Sequence, residues 1–212
     1  MWGRTVFRGN ILRKGAVCLE KLAREIIRAA EMSAAEPFIA GIDGRCGAGK
    51  STLGEMLEKR GWTVFHMDDF FLQPHQRTAE RYASPGGNAD RERFLREILL
   101  PLREGQEIIT CRPFDCHSMS LSEAVTVRRG RFCAVEGSYC CHPELWGYYD
   151  VHVFLTVSEE EQMKRIINRC GEERAEVFRE KWIPLEEKYF SAFNIGDRAE
   201  LTFDSSTKNH PQ

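Results

Sequence analysis

The run Gly44-Arg45-Cys46-Gly47-Ala48-Gly49-Lys50-Ser51 is a complete G-x-x-x-x-G-K-[ST] phosphate-binding loop. Such a loop works only between a strand that delivers it and a helix that receives it, and both are legible. Residues Pro37 to Ile42 (PFIAGI) read as a short buried strand, and Ser51 to Arg60 (STLGEMLEKR) as the helix that follows. The glycines let backbone N–H groups turn inward around a polyphosphate, and the new helix adds its positive end. Lys50 is then expected on the β and γ phosphates, and the Ser51 hydroxyl on Mg²⁺. Gly44 through Thr52 form the candidate nucleotide cradle.

A chain of 212 residues with 42% hydrophobic content can bury one substantial core, which fits a single enzyme-sized domain. The formal net charge of -2 provides no basic field and argues against a nucleic-acid partner. No apolar run approaches the ~20 residues that span a bilayer, and the N-terminus lacks the apolar stretch of a signal peptide, so neither a membrane nor export is expected. The expected location is cytoplasmic. Eight cysteines without paired C-x-x-C spacing suit reduced thiols there. Cys116-His117 and Cys140-Cys141-His142 offer the only grouping that would suggest a structural zinc, but buried cysteines more often pack as small hydrophobes.

Ala16 to Met32 carries apolar residues at helical spacing and predicts an amphipathic helix within an N-terminal extension, 1–36, packed on the core. Trp62 to His66 reads as a second strand ending at Asp68-Asp69, followed by a polar loop through Ala89. Asp90 to Leu102 predicts a helix. Glu107 to Thr110, Arg131 to Val135, Val151 to Val157 and Glu200 to Phe203 read as further strands, with a largely helical, charged segment over Glu159 to Phe193. Strands alternating with helices imply an α/β fold: a three-layer α/β/α domain over 37–204 with a central parallel sheet, followed by a short tail, 205–212. Oligomeric state stays open, since amphipathic helices bury equally well against a second copy.

Acidic residues fall where this fold ends its strands. Asp68 and Asp69 follow the second strand, and either carboxylate would stand beside a γ-phosphate to accept a proton from an attacking hydroxyl. Two aspartates between an apolar strand and Phe70-Phe71 make a poor turn signature. Glu136, closing the strand Arg131 to Val135, is placed to hold Mg²⁺ through water. Cations over the phosphates would come from Lys164, Arg165, Arg169 and Arg174, grouped about a break at Cys170-Gly171 that suits a closing lid near 162–180.

These residues together resemble the uridine kinase and phosphoribulokinase family of phosphate-loop kinases, in which nicotinamide riboside kinases are close relatives. The resemblance runs from about Phe38 to Phe203. It rests on GRCGAGKST, on Asp68-Asp69-Phe70-Phe71 against the family's D-x-F-[YFL], on Glu136-Gly137 against its strand-end E-G, and on Gln162 to Arg169 against an Arg-rich lid helix. Arg112-Pro113-Phe114-Asp115 is a looser match to its P-x-[YF]-D element. The resemblance implies a nucleoside-kinase-like fold with a helical lid. It also implies Asp68 as catalytic base, Ser51 and Glu136 as Mg²⁺ contacts, Lys50 on the phosphates, Arg165 and Arg169 as lid cations, and Phe114 and His117 near the acceptor. The aspartate with which uridine kinases grip ribose is missing: Tyr82-Ala83-Ser84-Pro85 stands in its place. Asp90 is either its substitute or a helix N-cap. ATP-dependent phosphorylation of a small-molecule hydroxyl, nucleoside-like, is the leading expectation; a nucleotide-dependent switch or ATPase without a small acceptor is the alternative.

Overall fold

The computed structural model describes residues 19–206. In chain order, α1 (Leu19–Glu31) leads into β1 (Phe38–Gly44), α2 (Lys50–Glu58) and β2 (Thr63–His66). Then come β3 (Ile108–Cys111), β4 (Phe114–Asp115), β5 (Ser120–Leu121), β6 (Val125–Arg128), β7 (Phe132–Glu136), β8 (Val151–Thr156) and β9 (Leu201–Asp204). Five of these strands form the central sheet in the order β2-β7-β1-β8-β9, and every neighbouring pair is parallel.

All seven residues of β1 are buried, as expected of a strand covered on both faces. Alternation along the strand divides the core. Ile39 packs with Phe65, Phe70, Phe94, Ile98 and Tyr189 on one face. Ala40 and Ile42 pack with Leu22 and Ile26 of α1 and Leu53 and Leu57 of α2 on the other. The pairing register sets Ile42 and His66 beside Glu136 and Gly44 beside Leu155. Everything that follows β1, β2 and β7 therefore emerges at one edge of the sheet, where open α/β folds bind ligands.

Three expectations are corrected. The strand anticipated at Glu107 to Thr110 lies outside the parallel sheet and pairs antiparallel with β6. Its residues alternate exposed and buried, the pattern of a ribbon covered on one side only. The segment through Ala89 is not all loop. It holds 3₁₀ turns at Met67–Asp69 and Pro74–Gln76 and a helix at Ala79–Ala83, whose start is capped by Thr78 accepting from the Arg81 N–H at 3.1 Å. The aspartate pair thus does occupy a turn, closed by Phe70 N–H donating to the Met67 carbonyl at 2.9 Å. Of the helix anticipated from Ala16, positions 16–18 lie outside the described residues, as does the tail from 207. Ser205 and Ser206 are tied to the core: the Ser205 hydroxyl meets Arg165 and the Thr156 carbonyl, and Ser206 Oγ accepts from Ser158 N–H.

Candidate active site

Gly49 sits at φ +100 immediately before α2, a left-handed conformation that costs a glycine little and turns the chain from loop into helix. Lys50 is buried and folded onto its own loop, its Nζ donating to the carbonyls of Gly44 (2.7 Å) and Arg45 (3.1 Å). Ala48 is sealed into the core beneath. Arg45 leaves the loop sideways, with Nε and Nη2 donating to Glu187 at 2.6 and 2.9 Å and Nη1 to Thr156 Oγ1 and the Val157 carbonyl. The Cys46 thiol is pushed up to about 12, chiefly by burial, so it is no nucleophile at neutral pH.

A cavity of about 480 Å³ opens over this loop. Cys46, Gly47, Gly49, Lys50, Ser51 and Thr52 line it from below, and Asp68, Glu136 and Arg169 from around. Residues as far apart in sequence as Cys46 and Arg169 are thereby drawn to one place. Ser51 Oγ donates to Glu136 Oε2 at 3.3 Å, and the other Glu136 oxygen lies 2.7 Å from His66 Nδ1. The Glu136 bond raises the basicity of His66 above the ordinary imidazole value. A hydroxyl and a carboxylate this close, opening on the cradle, make an oxygen donor set of the kind Mg²⁺ takes.

Of the two aspartates, Asp68 reaches the cavity and Asp69 does not. Burial pushes the Asp68 carboxyl above the ordinary carboxylate value; Lys50 opposes this, and the charges of Glu136, Glu186 and Asp69 reinforce it. Asp69 is held from behind, its carbonyl accepting from Arg93 Nη2 at 3.3 Å.

The other predicted site residues separate. Asp90 is the N-cap of the helix beginning Arg91–Phe94: it accepts from Arg93 N–H at 3.2 Å and pairs with Arg93 Nε at 3.1 Å, both side chains fully buried. It does not line the cavity. Phe114 is buried under Arg77, and His117 is exposed on the β4–β5 hairpin, where Asp115 accepts its N–H. Neither lines the cavity, because their two-stranded hairpin folds apart from the sheet. Arg165 is a strut rather than a free cation. Its guanidinium donates to the Gly47 carbonyl (2.9 Å) and to Ser205, and pairs with Glu161. Arg169 does line the cavity, stacked 5.4 Å over Phe178, just before the helix breaks at Gly171 (φ +82).

Several cavity residues escaped the sequence reading. Asn88, Ser138, Tyr139, Phe178, Trp182 and Glu186 all face it. Only Ser138-Tyr139, directly after Glu136-Gly137, had a positional signal. Asp43, the charged residue next to last in the apolar β1, was also missed. It is fully buried and accepts from the N–H groups of Gly44, Tyr139 and Cys141 and from the Tyr189 hydroxyl, 2.7 to 3.2 Å away. Burial nevertheless pushes its carboxyl up to about 6. Cys140 and Cys141 sit beside it with sulfurs 3.9 Å apart. Among the described residues Cys116 is not brought to this group, so the zinc grouping raised by the sequence does not assemble.

No family model matches this sequence, and no curated protein matches it. Solved structures do. One described as a possible uridine kinase from Bacillus stearothermophilus superposes with a TM-score of 0.65 at 21% identity, over 88% of this chain and 97% of its own. A protein from Silicibacter sp. TM1040, named as a candidate fructose transport system kinase, gives 0.65 at 20% identity over 89% and 100%. A circularly permuted kinase candidate from Saccharomyces cerevisiae gives 0.63 at 12% identity over 91% and 100%. This chain shares the fold of these structures. At these identities the likeness carries architecture and leaves the reacting partners to the site itself. Among the described residues no helix is long and apolar enough to cross a membrane.

Proposed function

We propose that this chain is an ATP- and Mg²⁺-dependent kinase that transfers the γ-phosphoryl group to a hydroxyl of a small, nucleoside-like molecule. One observation carries the reading: Lys50, Ser51, Glu136 and Asp68 open onto a single cavity over the phosphate loop. A switch protein has no need of a carboxylate there with a raised pKa; a kinase needs a proton acceptor for the attacking alcohol.

In this reading the loop amides and Lys50 hold the triphosphate, with the Lys50 ammonium exchanging the Gly44 and Arg45 carbonyls for phosphate oxygens. Ser51 and Glu136 would hold Mg²⁺, which neutralises charge on the transferring group. His66 fixes the orientation of Glu136 through its Nδ1 contact. Asp68 takes the proton of the acceptor hydroxyl as that oxygen bonds to the γ-phosphorus and the bond to the β–γ bridging oxygen breaks, releasing ADP. Arg169, ahead of the Gly171 break, is the lid cation, while Arg165 keeps the Gly47 carbonyl and Ser205 in place.

The direct test measures ADP release from Mg·ATP by the purified chain across nucleosides, nicotinamide riboside, pantothenate and simple sugars. Acceleration by one of them establishes the reaction class; slow hydrolysis indifferent to all, with ATP bound, argues for the acceptor-free ATPase. Glu136→Gln should raise the Mg²⁺ concentration for half-maximal turnover by roughly 10–100-fold, as loss of a supporting ligand does. An unchanged Mg²⁺ titration would remove Glu136 from the metal site.

A further inference from the structure

Glu186 lies on the helix Ile183–Phe193, beyond the lid, and its carboxylate reaches back into the cavity. There it accepts from the Cys46 N–H at 2.9 Å through Oε2 and from the Ser138 hydroxyl at 2.6 Å through Oε1. The residue is only 4% exposed, yet among the described residues it makes no ion pair. Its helix neighbour Glu187 takes the Arg45 guanidinium directly, and Glu186 feels that charge only from a distance. The Cys46 thiol is a further neutral partner, so of the carboxylate's roughly four lone-pair sites none is met by a charged donor. Burying a charge so thinly compensated is costly unless something else completes it.

The surroundings indicate what completes it. Glu186 shares the cavity with Asp68, and its negative charge contributes to holding the Asp68 carboxyl above its ordinary value. The cavity's two cations, Lys50 and Arg169, belong to the loop and the lid. The remaining walls include the Asn88 amide, hydrogen-bonded to Tyr139, and the rings of Phe71, Tyr139, Phe178 and Trp182. Tyr139 holds φ at +75, a conformation a tyrosine rarely adopts, which keeps its ring at this wall.

We infer that Glu186 is a specificity-determining residue of the acceptor site, accepting hydrogen bonds from an alcohol that is rich in N–H or O–H donors and carries no negative charge. This deepens the kinase reading above and rests on it. An anionic acceptor, such as a hydroxy acid or sugar phosphate, would meet Glu186 and Asp68 as two like charges without a cation to spare. Such juxtaposition is the repulsive element by which sites refuse a competitor.

The experiment uses the full chain with Mg·ATP and reads ADP release against acceptors matched in size and differing in charge: neutral nucleosides and polyols, amino sugars, and hydroxy acids with sugar phosphates. Only neutral or cationic members should accelerate release. Glu186→Gln, checked as folded by its unfolding midpoint, should raise the KM of the active acceptor by about tenfold or more, the scale of a lost charged hydrogen bond. The same variant should narrow the gap to anionic acceptors. Efficient phosphorylation of an anionic acceptor by the wild-type chain overturns the inference while the kinase reading stands, and so does an unchanged acceptor KM in Glu186→Gln. Bound ATP with no acceptor of any charge accelerating release overturns both together.

Discussion

Asp68→Asn is expected to cut turnover by roughly 10²–10⁴-fold, the usual contribution of a positioned general base, while Mg·ATP still binds. The substitution keeps shape and polarity but removes the group that accepts a proton. Asp68 is also the aspartate that reaches the cavity, whereas Asp69 is turned aside with its carbonyl held by Arg93. The pH profile supplies a second readout. A base works only when ionised, so turnover should rise with pH through the Asp68 pKa and level off above it. Because burial, then the neighbouring carboxylates, hold that pKa above the ordinary value of 3.8 despite Lys50, this acidic limb should lie above the ordinary carboxylate range. Steady-state turnover from pH 4 to 9, with nucleotide affinity measured separately, checks both claims. Full activity in Asp68→Asn would transfer the role elsewhere, and an acidic limb at the ordinary carboxylate position would leave the surroundings of Asp68 without kinetic consequence.

What the sequence disclosed follows from where each signal resides. The phosphate loop is contiguous, and its strand and helix lie on either side of it, so local pattern sufficed to place Lys50 and Ser51. Asp68 and Glu136 were legible because strand ends in a parallel sheet converge, which the observed register of Ile42 and His66 on Glu136 bears out geometrically. The acceptor wall is different. Glu186 is one of many glutamates on a charged helix, and only the helix's passage over Cys46 and Ser138 distinguishes it. Asp90 carried two readings with the same local signature, and Arg93 decided between them by pairing with it in the core. Arg165 shows the limit of spacing: one helical turn from Arg169, it finds the Gly47 carbonyl and Ser205 instead of the cavity. Phe114 and His117 went astray because their hairpin pairs with itself, a long-range choice that a four-residue motif does not encode.

Gly44→Ala should disable the chain by a different route, through the fold that aims the loop. Gly44 closes β1 at φ +140, in a region that an L side chain rarely enters. A Cβ there would lie 2.0 Å from the Leu155 carbonyl oxygen and 2.7 Å from its nitrogen, both backbone atoms of the paired strand β8. No rotamer change relieves such a contact; the strands must part, or the loop must turn elsewhere. Either response disturbs anchors of the cradle, since the Leu155 carbonyl accepts from Arg45 N–H at 3.0 Å and the Gly44 carbonyl accepts from Lys50. Backbone strain of about 1–3 kcal/mol and overpacking of about 1–3 kcal/mol together take a large share of the roughly 5–15 kcal/mol that holds a domain folded. The expected result is a denaturation midpoint well below wild type, with Mg·ATP affinity lost in whatever fraction stays folded. Gly61→Ala is the matched control. Gly61 also has positive φ, at +82, but a Cβ there meets nothing within 4 Å, so it should show strain without collision. Equal midpoints for the two variants would mean that the close approach of β1 to β8 at Leu155 contributes nothing to the fold, and that the first glycine of the loop serves conformation alone.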